Sequence, residues 1–219
     1  MAQDHSHHHG EHSHDHGPRA FQPDHPEPRT HYQFLGLALR ELLIEKGVYS
    51  AEEERRKVEQ LEAITPALGA RAVARAWRDP GFKQRLLADG KAALAELGID
   101  SVAPMIALEN DDKVHNVVVC TLCSCYPRMV LGRQPAWYKS HNYRSRMVRE
   151  PRRVLAEFGL ALSDAVELRV HDSTAEMRYL VVPQRPAGTE GWTEEKLARL
   201  VTRDSMIGVA RASDPTSLA

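Results

Sequence analysis

The sequence predicts an α+β fold: a helical amino-terminal half, then a mixed α/β core that carries a cysteine loop. Three observations support this. Apolar residues recur at helical spacing between residues 31 and 98. Beyond Gly98 the period shortens to that of strands. The three cysteines of the chain, Cys120, Cys123 and Cys125, fall within six residues, directly after one of those strands.

Residues 1–30 hold eight histidines: His5, His7, His8, His9, His12, His14, His16 and His25. Prolines interleave and apolar side chains are few. Such a segment buries too little surface to offset its ordering entropy, so it reads as a disordered tail. Its imidazoles can capture divalent metal loosely; an inert tail is the alternative.

Leu35, Leu39, Leu42 and Leu43 then line one helix face, with Gly47 as its cap. Ser50 and Glu53 form a capping box for a second helix bearing Val58, Leu61 and Ile64. Pro66 and Gly69 are expected to break it. Ala72, Val73 and Trp77 mark a short helix up to Asp79-Pro80. Phe82, Leu86, Leu87, Ala93, Leu94 and Leu97 mark another, with a break at Gly90 and a cap at Gly98. These stripes predict core or subunit contact. Short runs at 105–108, 115–119, 166–170 and 178–182 have β character, the last two joined by 172–176. Helical stretches at 136–147 and 152–157 lie between them, and Thr193 caps a final helix through Val201. The organisation expected is a helical region over 31–98, a metal-binding catalytic core over 99–210 and a flexible end over 211–219.

Composition narrows the function. Of 219 residues, 42% are hydrophobic and 27% charged, as in ordinary soluble domains. Thirty acidic residues against 29 basic ones leave a net charge of −1, which argues against nucleic acid or an anionic membrane as partner. No apolar run approaches the roughly 20 residues of a membrane-spanning helix. The amino terminus lacks the apolar stretch of a secretory signal, so the expected location is the cytoplasm. In that reducing compartment, clustered thiols point to metal or redox chemistry.

The loop reads VVVCTLCSCYP over residues 117–127. Pro127 keeps Tyr126 out of helical geometry. Structural zinc is one reading of the thiols, but zinc wants four ligands and no histidine follows at finger spacing. A redox-sensing cluster is another. The Cys-Ser-Cys end permits a third. If Cys123 and Cys125 bind one metal through sulfur, the backbone nitrogens of Ser124 and Cys125 pass close to it. These donors close five- and six-membered chelate rings in one plane, and Cys120 can cap that plane. One octahedral position then stays open for water or substrate. Anionic amide nitrogens suit a trivalent ion such as iron or cobalt better than zinc.

VCTLCSCYP resembles the metal claw of the nitrile hydratase alpha subunits. AVARAWRDP, LLADGKAALAELG, PAWYKSHNYRSRMV, PRRVLAEFGL, MRYLVVPQRPAGTEGW and VTRDSMIG also resemble segments of that family, in the same order across about residues 31–210. The resemblance implies hydration of a small nitrile to the amide. It implies Cys120, Cys123, Ser124 and Cys125 as metal ligands, with Cys125, Cys123 and Ser124 as the catalytic set. It further implies Cys123 as sulfinic and Cys125 as sulfenic acid. Thr121 and Tyr126 look like the cobalt type, so Co(III) is expected ahead of iron. The implied partners are a beta subunit, forming a heterodimer and supplying arginines to the oxidised sulfurs, and an activator or metallochaperone that loads the metal.

Two departures qualify the resemblance. Arg128 stands where nitrile hydratases usually carry Trp, and Arg there resembles the thiocyanate hydrolase gamma subunit. Residues 99–105 are short and lack a glutamine found in some relatives, and this short spacing favours nitrile hydratase. Thiocyanate hydrolase is therefore the alternative enzyme, and a metal storage or delivery module the alternative without catalysis. The basic stretch Arg128, Arg133, Lys139, Arg144, Arg146, Arg149, Arg152 and Arg153, around Glu150, Trp137 and Tyr143, is expected to be a subunit interface or solvated face. His115, His141 and His171 are expected to pack or lie at the surface, not to ligate metal.

Overall fold

The computed structural model describes residues 28–218. The histidine-rich stretch up to residue 27 lies outside the described residues. The described residues divide into two compact units, split between residues 54 and 55.

In the first unit, helix α1 (His31–Glu45) begins at a complete capping box. The Thr30 hydroxyl accepts the Gln33 N–H, and the Gln33 side chain accepts the Thr30 N–H. None of its residues is buried, and Leu35 and Leu39 are each 53% exposed. Among the described residues of this unit the leucine stripe forms no buried core. Helix α2 (Ala51–Glu62) starts at the expected box: Ser50 N–H donates to Glu53 at 2.7 Å, and Glu53 N–H to the Ser50 hydroxyl at 3.2 Å.

The second unit begins within α2 and continues with α3 (Pro66–Arg78), α4 (Pro80–Ala88) and α5 (Gly90–Glu96). Pro66 and Pro80 start helices, because a first-turn N–H has no partner to lose. Asp79 and Asp89 cap α4 and α5 by accepting the N–H groups of Phe82 and Ala92 at 3.0 Å each. Gly69 does not break a helix as expected. It lies buried inside α3, where a Cβ would come 2.7 Å from the Met206 sulfur. Its smallness lets the helix approach its neighbour.

Strands β1 (Met105–Glu109), β2 (Val114–Val119), β3 (Glu167–Asp172) and β4 (Arg178–Val182) lie close to where the sequence puts them. Although five residues separate β3 from β4, they do not pair with each other. β1 pairs with β4 and β2 with β3, both in parallel. A parallel pair needs a long crossover. Between β2 and β3 it contains the cysteine loop and α6 (Arg128–Leu131), α7 (Ala136–Lys139), α8 (His141–Met147) and α9 (Pro151–Glu157). The single helix expected over 136–147 is two. Ser140 turns extended between them and caps α8 by accepting the Tyr143 N–H at 3.1 Å. Helices α10 (Glu194–Ala198) and α11 (Arg203–Ile207) follow β4.

The boundary drawn at residue 99 is not a structural one. Val73, Leu86 and Leu94 of the helices share one buried core with Val117 and Val119 of β2, Leu155 of α9 and Leu180 of β4. The end expected to be flexible is attached. Ser213 N–H donates to Leu200 O at 2.8 Å, and Leu218, in a turn of 3-10 helix, packs on Ala74, Leu197 and Leu200.

β2 is anchored at its start by buried polar groups. His115 Nε2 lies 2.7 Å from Gly208 O and its Nδ1 lies 3.2 Å from the Asn110 amide, so the ring donates from Nε2 and accepts at Nδ1. Asn110 Oδ1 accepts the Asn116 N–H at 2.7 Å, and His171 Nε2 donates to Asn116 Oδ1 at 2.8 Å. Gly208 ends α11 at φ +91°, pressed so close that a Cβ would lie 2.1 Å from Asn116 O.

Two predictions follow from this anchor. Gly208→Ala combines a left-handed backbone with a clash against strand backbone, and should cost about 3 kcal/mol. A urea midpoint within error of the parent overturns that account. Burial lowers the His115 pKa more than the Gly208 carbonyl raises it, and burial also lowers that of His171. Both rings are neutral when folded, so their stabilisation is complete above the ordinary value of about 6.5 and is lost as pH falls. The urea midpoint should drop from about pH 7.5 to about 5.5, and drop less in His171→Gln, which keeps a donor to Asn116 but does not titrate.

Candidate metal centre

β2 delivers Cys120, fully buried, at the carboxy-terminal end of a parallel strand, where loops of such sheets carry sites. The chain then turns back on itself. Ser124, at φ +80°, is the one non-glycine residue with a left-handed backbone among the described residues. That turn brings the three sulfurs together. Cys120 and Cys123 sulfurs are 3.8 Å apart, those of Cys123 and Cys125 3.2 Å, and all three lie within 4.8 Å of one another. Cys123 is exposed and Cys125 half-buried, so the cluster opens to solvent on one side.

The backbone nitrogens point inward as well. Cys123 N–H and Ser124 N–H reach the Cys120 sulfur at 3.3 and 3.1 Å. Burial raises the Cys120 thiol pKa, but the backbone N–H groups of Cys123, Cys125 and Leu122 outweigh it, and the net direction is down. Cys125 goes the other way. Burial, the Cys123 sulfur and the neighbouring thiols push it up to about 12, with Arg178 opposing. Three thiolates at this separation need a cation to neutralise them, and binding one releases thiol protons. Three converging sulfurs, with the Ser124 nitrogen turned toward them, fit one soft or trivalent metal ion such as cobalt.

Four side chains hold the loop from outside. Asp172, at the end of β3, accepts the Thr121 N–H at 2.9 Å and its hydroxyl at 2.5 Å. The parallel register sets Asp172 opposite Val119, which puts its carboxylate within reach. Arg144 of α8 donates to the carbonyls of Thr121 at 2.9 Å and Leu122 at 3.1 Å. Gln134 donates to Ser124 O, and Tyr138 of α7 donates its hydroxyl to Cys125 O at 2.9 Å. Behind them Tyr126 meets Tyr138 edge-on at 5.2 Å, and Trp137 contacts Tyr143 at 4.9 Å and Phe158 at 4.8 Å.

All four residues named as the site from sequence are thus brought to one place, and Thr121 and Tyr126 flank them. Asp172, Gln134, Tyr138 and Arg144 were not singled out as site residues. Tyr138 and Arg144 lie inside the quoted segment PAWYKSHNYRSRMV; Asp172 had no signal short of the strand register. The basic stretch is more internal than expected. Arg144 braces the loop, Arg146 pairs with Glu150 and Glu157, and Arg152 donates to the carbonyls of Leu162, Ser163 and Val166. His115 and His171 act as hydrogen-bonding struts, as their packing role predicts. Arg128 begins α6, exposed, with no ion pair among the described residues.

Comparison with known proteins agrees with this geometry. Residues 30–210 match the family model for nitrile hydratase, alpha chain. The chain is 55% identical over 179 residues to the cobalt-containing nitrile hydratase subunit alpha of Pseudonocardia thermophila, covering 80% of this chain and 88% of that one. It is 46% identical over 197 residues to the thiocyanate hydrolase subunit gamma of Thiobacillus thioparus, covering 84% and 81%. Its fold matches a solved recombinant thiocyanate hydrolase with partially modified cobalt centres at a TM-score of 0.77 and 46% identity, over 84% of this chain and 90% of that one. With a match across nearly all of the described residues and the cysteine loop folded as a converging donor set, the chain belongs to the nitrile hydratase alpha chain family.

Proposed function

We propose that this chain is the metal-binding alpha subunit of a cobalt nitrile hydratase, acting with a beta subunit to convert small nitriles to amides. The observation that carries the reading is the convergence of three sulfurs within 4.8 Å on a loop whose backbone nitrogens face inward. Cys120, Cys123 and Cys125 would hold the ion through sulfur, and Ser124 and Cys125 through nitrogen. Bound there, Co(III) supplies Lewis acidity at one open position. Cys120, buried, anchors the set, while exposed Cys123 and half-buried Cys125 face the side from which substrate enters. Cys123 is read as sulfinic and Cys125 as sulfenic acid. A sulfenate at Cys125 keeps a lone pair that can accept a proton from the attacking water or act on the nitrile carbon. The small Ser124 side chain leaves that side open. An activator that loads cobalt and a cytoplasmic location complete the reading.

One observation favours the second enzyme. Arg128, exposed and without a carboxylate partner three residues after Cys125, could receive a small anion, and the gamma subunit of thiocyanate hydrolase is among the relatives. Turnover separates the two. Protein matured with its beta subunit should hydrate acrylonitrile and leave thiocyanate largely untouched; the reverse preference makes the chain a thiocyanate hydrolase subunit.

The active protein should contain about one cobalt per chain, one claw holding one ion. Intact-protein mass should show about three added oxygens, and a high-resolution structure should place two on Cys123, one on Cys125 and none on Cys120. Cys125→Ser should abolish hydration even where metal remains. Stoichiometric iron sinks the cobalt assignment, and full activity with three unoxidised thiolates would falsify the sulfenate role.

A further inference from the structure

We propose that Gln134 is a positioning residue of the claw that tunes the bound metal through the Ser124–Cys125 peptide. The inference rests on the reading of the Cys125 nitrogen as a ligand. Gln134 Nε2 donates to Ser124 O. That oxygen belongs to the same peptide group as the Cys125 nitrogen. In the proposed donor set the nitrogen end of this peptide is a ligand, and the adjacent Ser124 N–H already reaches the Cys120 sulfur at 3.1 Å. The oxygen end is gripped from outside. One peptide therefore links the amide of Gln134 to the metal-facing interior.

The other outside donors differ in which peptide they hold. Arg144 acts on the carbonyls of Thr121 and Leu122, whose peptide nitrogens belong to Leu122 and Cys123. Tyr138 acts on the carbonyl of Cys125, whose peptide nitrogen belongs to Tyr126. None of those three nitrogens is in the proposed donor set. Gln134 alone of the three donors touches a peptide that is.

The backbone fixes Gln134 where it is needed. Gly132 ends α6 at φ +71°, so close to Ile64 that a Cβ would lie 2.6 Å from its carbonyl oxygen. Pro135 is buried and leads into α7. Gln134, half-buried, is held between these two points, and Tyr138 holds the next carbonyl four residues on.

The electronic consequence follows from peptide resonance. An amide that binds a cation through an anionic nitrogen shares its charge with its oxygen. An N–H donated to that oxygen becomes a charge-assisted bond, roughly twice as strong as a neutral one. It draws charge toward oxygen and leaves the nitrogen a weaker donor. The metal then stays a stronger Lewis acid. Without the bond, the nitrogen donates more strongly and the metal accepts charge from sulfur less readily.

The test uses the full chain co-produced with its beta partner. Gln134→Glu keeps the shape but replaces the N–H donor with a carboxylate. Gln134→Leu removes the donor without adding charge. Gln134→Asn keeps a donor on a shorter arm, and Arg133→Gln is the neighbouring control. Cobalt per chain, the sulfur-to-cobalt absorption band and kcat are measured together. In both the Glu and Leu variants the band should move to shorter wavelength, further for Glu, with kcat for nitrile hydration reduced about tenfold. The Asn variant should lie between these and the parent, and the Arg133 control should match the parent. If the Glu variant does not load cobalt, the Leu variant decides by the same band. An unshifted band in a cobalt-loaded Leu variant overturns the role of Gln134 alone. A parent protein without cobalt or without the band overturns the claw reading and this inference with it.

Discussion

Three sulfur atoms crowded within 4.8 Å are the constraint around which the core is arranged. Thiols at that distance resist ionising together, which adds to the larger effect of burial in pushing Cys125 up. The loop reaches this crowding because its backbone is otherwise satisfied. Ser124 takes a left-handed turn, N–H groups converge on the Cys120 sulfur, and the carbonyls of Thr121, Leu122, Ser124 and Cys125 find side-chain donors. A loop this short cannot supply those partners itself. Each comes from an element whose position is set by the fold: Asp172 by the register of β3, Tyr138 by α7 and Arg144 by α8.

How much of this was legible in the sequence varies with the physics. The strands were visible because β-branched runs such as Val117–Val119 sit between polar segments, and the capped helices because Ser50, Thr193 and Gly98 mark their ends. The claw was legible as chemistry, since three cysteines in six residues leave few arrangements that avoid repulsion. Helices α6 and α11, of four and five residues, were not. A single turn carries no period to detect. The stop placed at Gly69 failed for a different reason. A glycine that breaks a helix and a glycine that lets two elements touch look the same in one dimension, and only the Met206 sulfur beside it distinguishes them.

The bracing residues were illegible because pairing is not local. Asp172 and Thr121 are 51 positions apart and meet only because β2 and β3 run in the same direction. An antiparallel arrangement of the same strands would have carried Asp172 to the opposite end of β2. Three basic residues of the crossover were illegible as struts for the same reason. Charge alone suggests solvent, whereas Arg144, Arg146 and Arg152 use theirs to bind carbonyls and carboxylates of their own chain.

The parallel pairing of β2 with β3 also fixes an order of events. The claw sits at the beginning of a crossover of nearly fifty residues, and its support at Asp172 arrives only when that crossover has closed. Closing long loops precedes the contacts that reward it, so such pairings form slowly. During synthesis the cysteines leave the ribosome nearly fifty residues before Asp172, the last of their supports. Until then they are an unbraced trio of thiols, open to stray metals and oxidants. The thiol set is thus complete in the chain before its last brace, and that brace reaches the loop only once β3 has paired with β2.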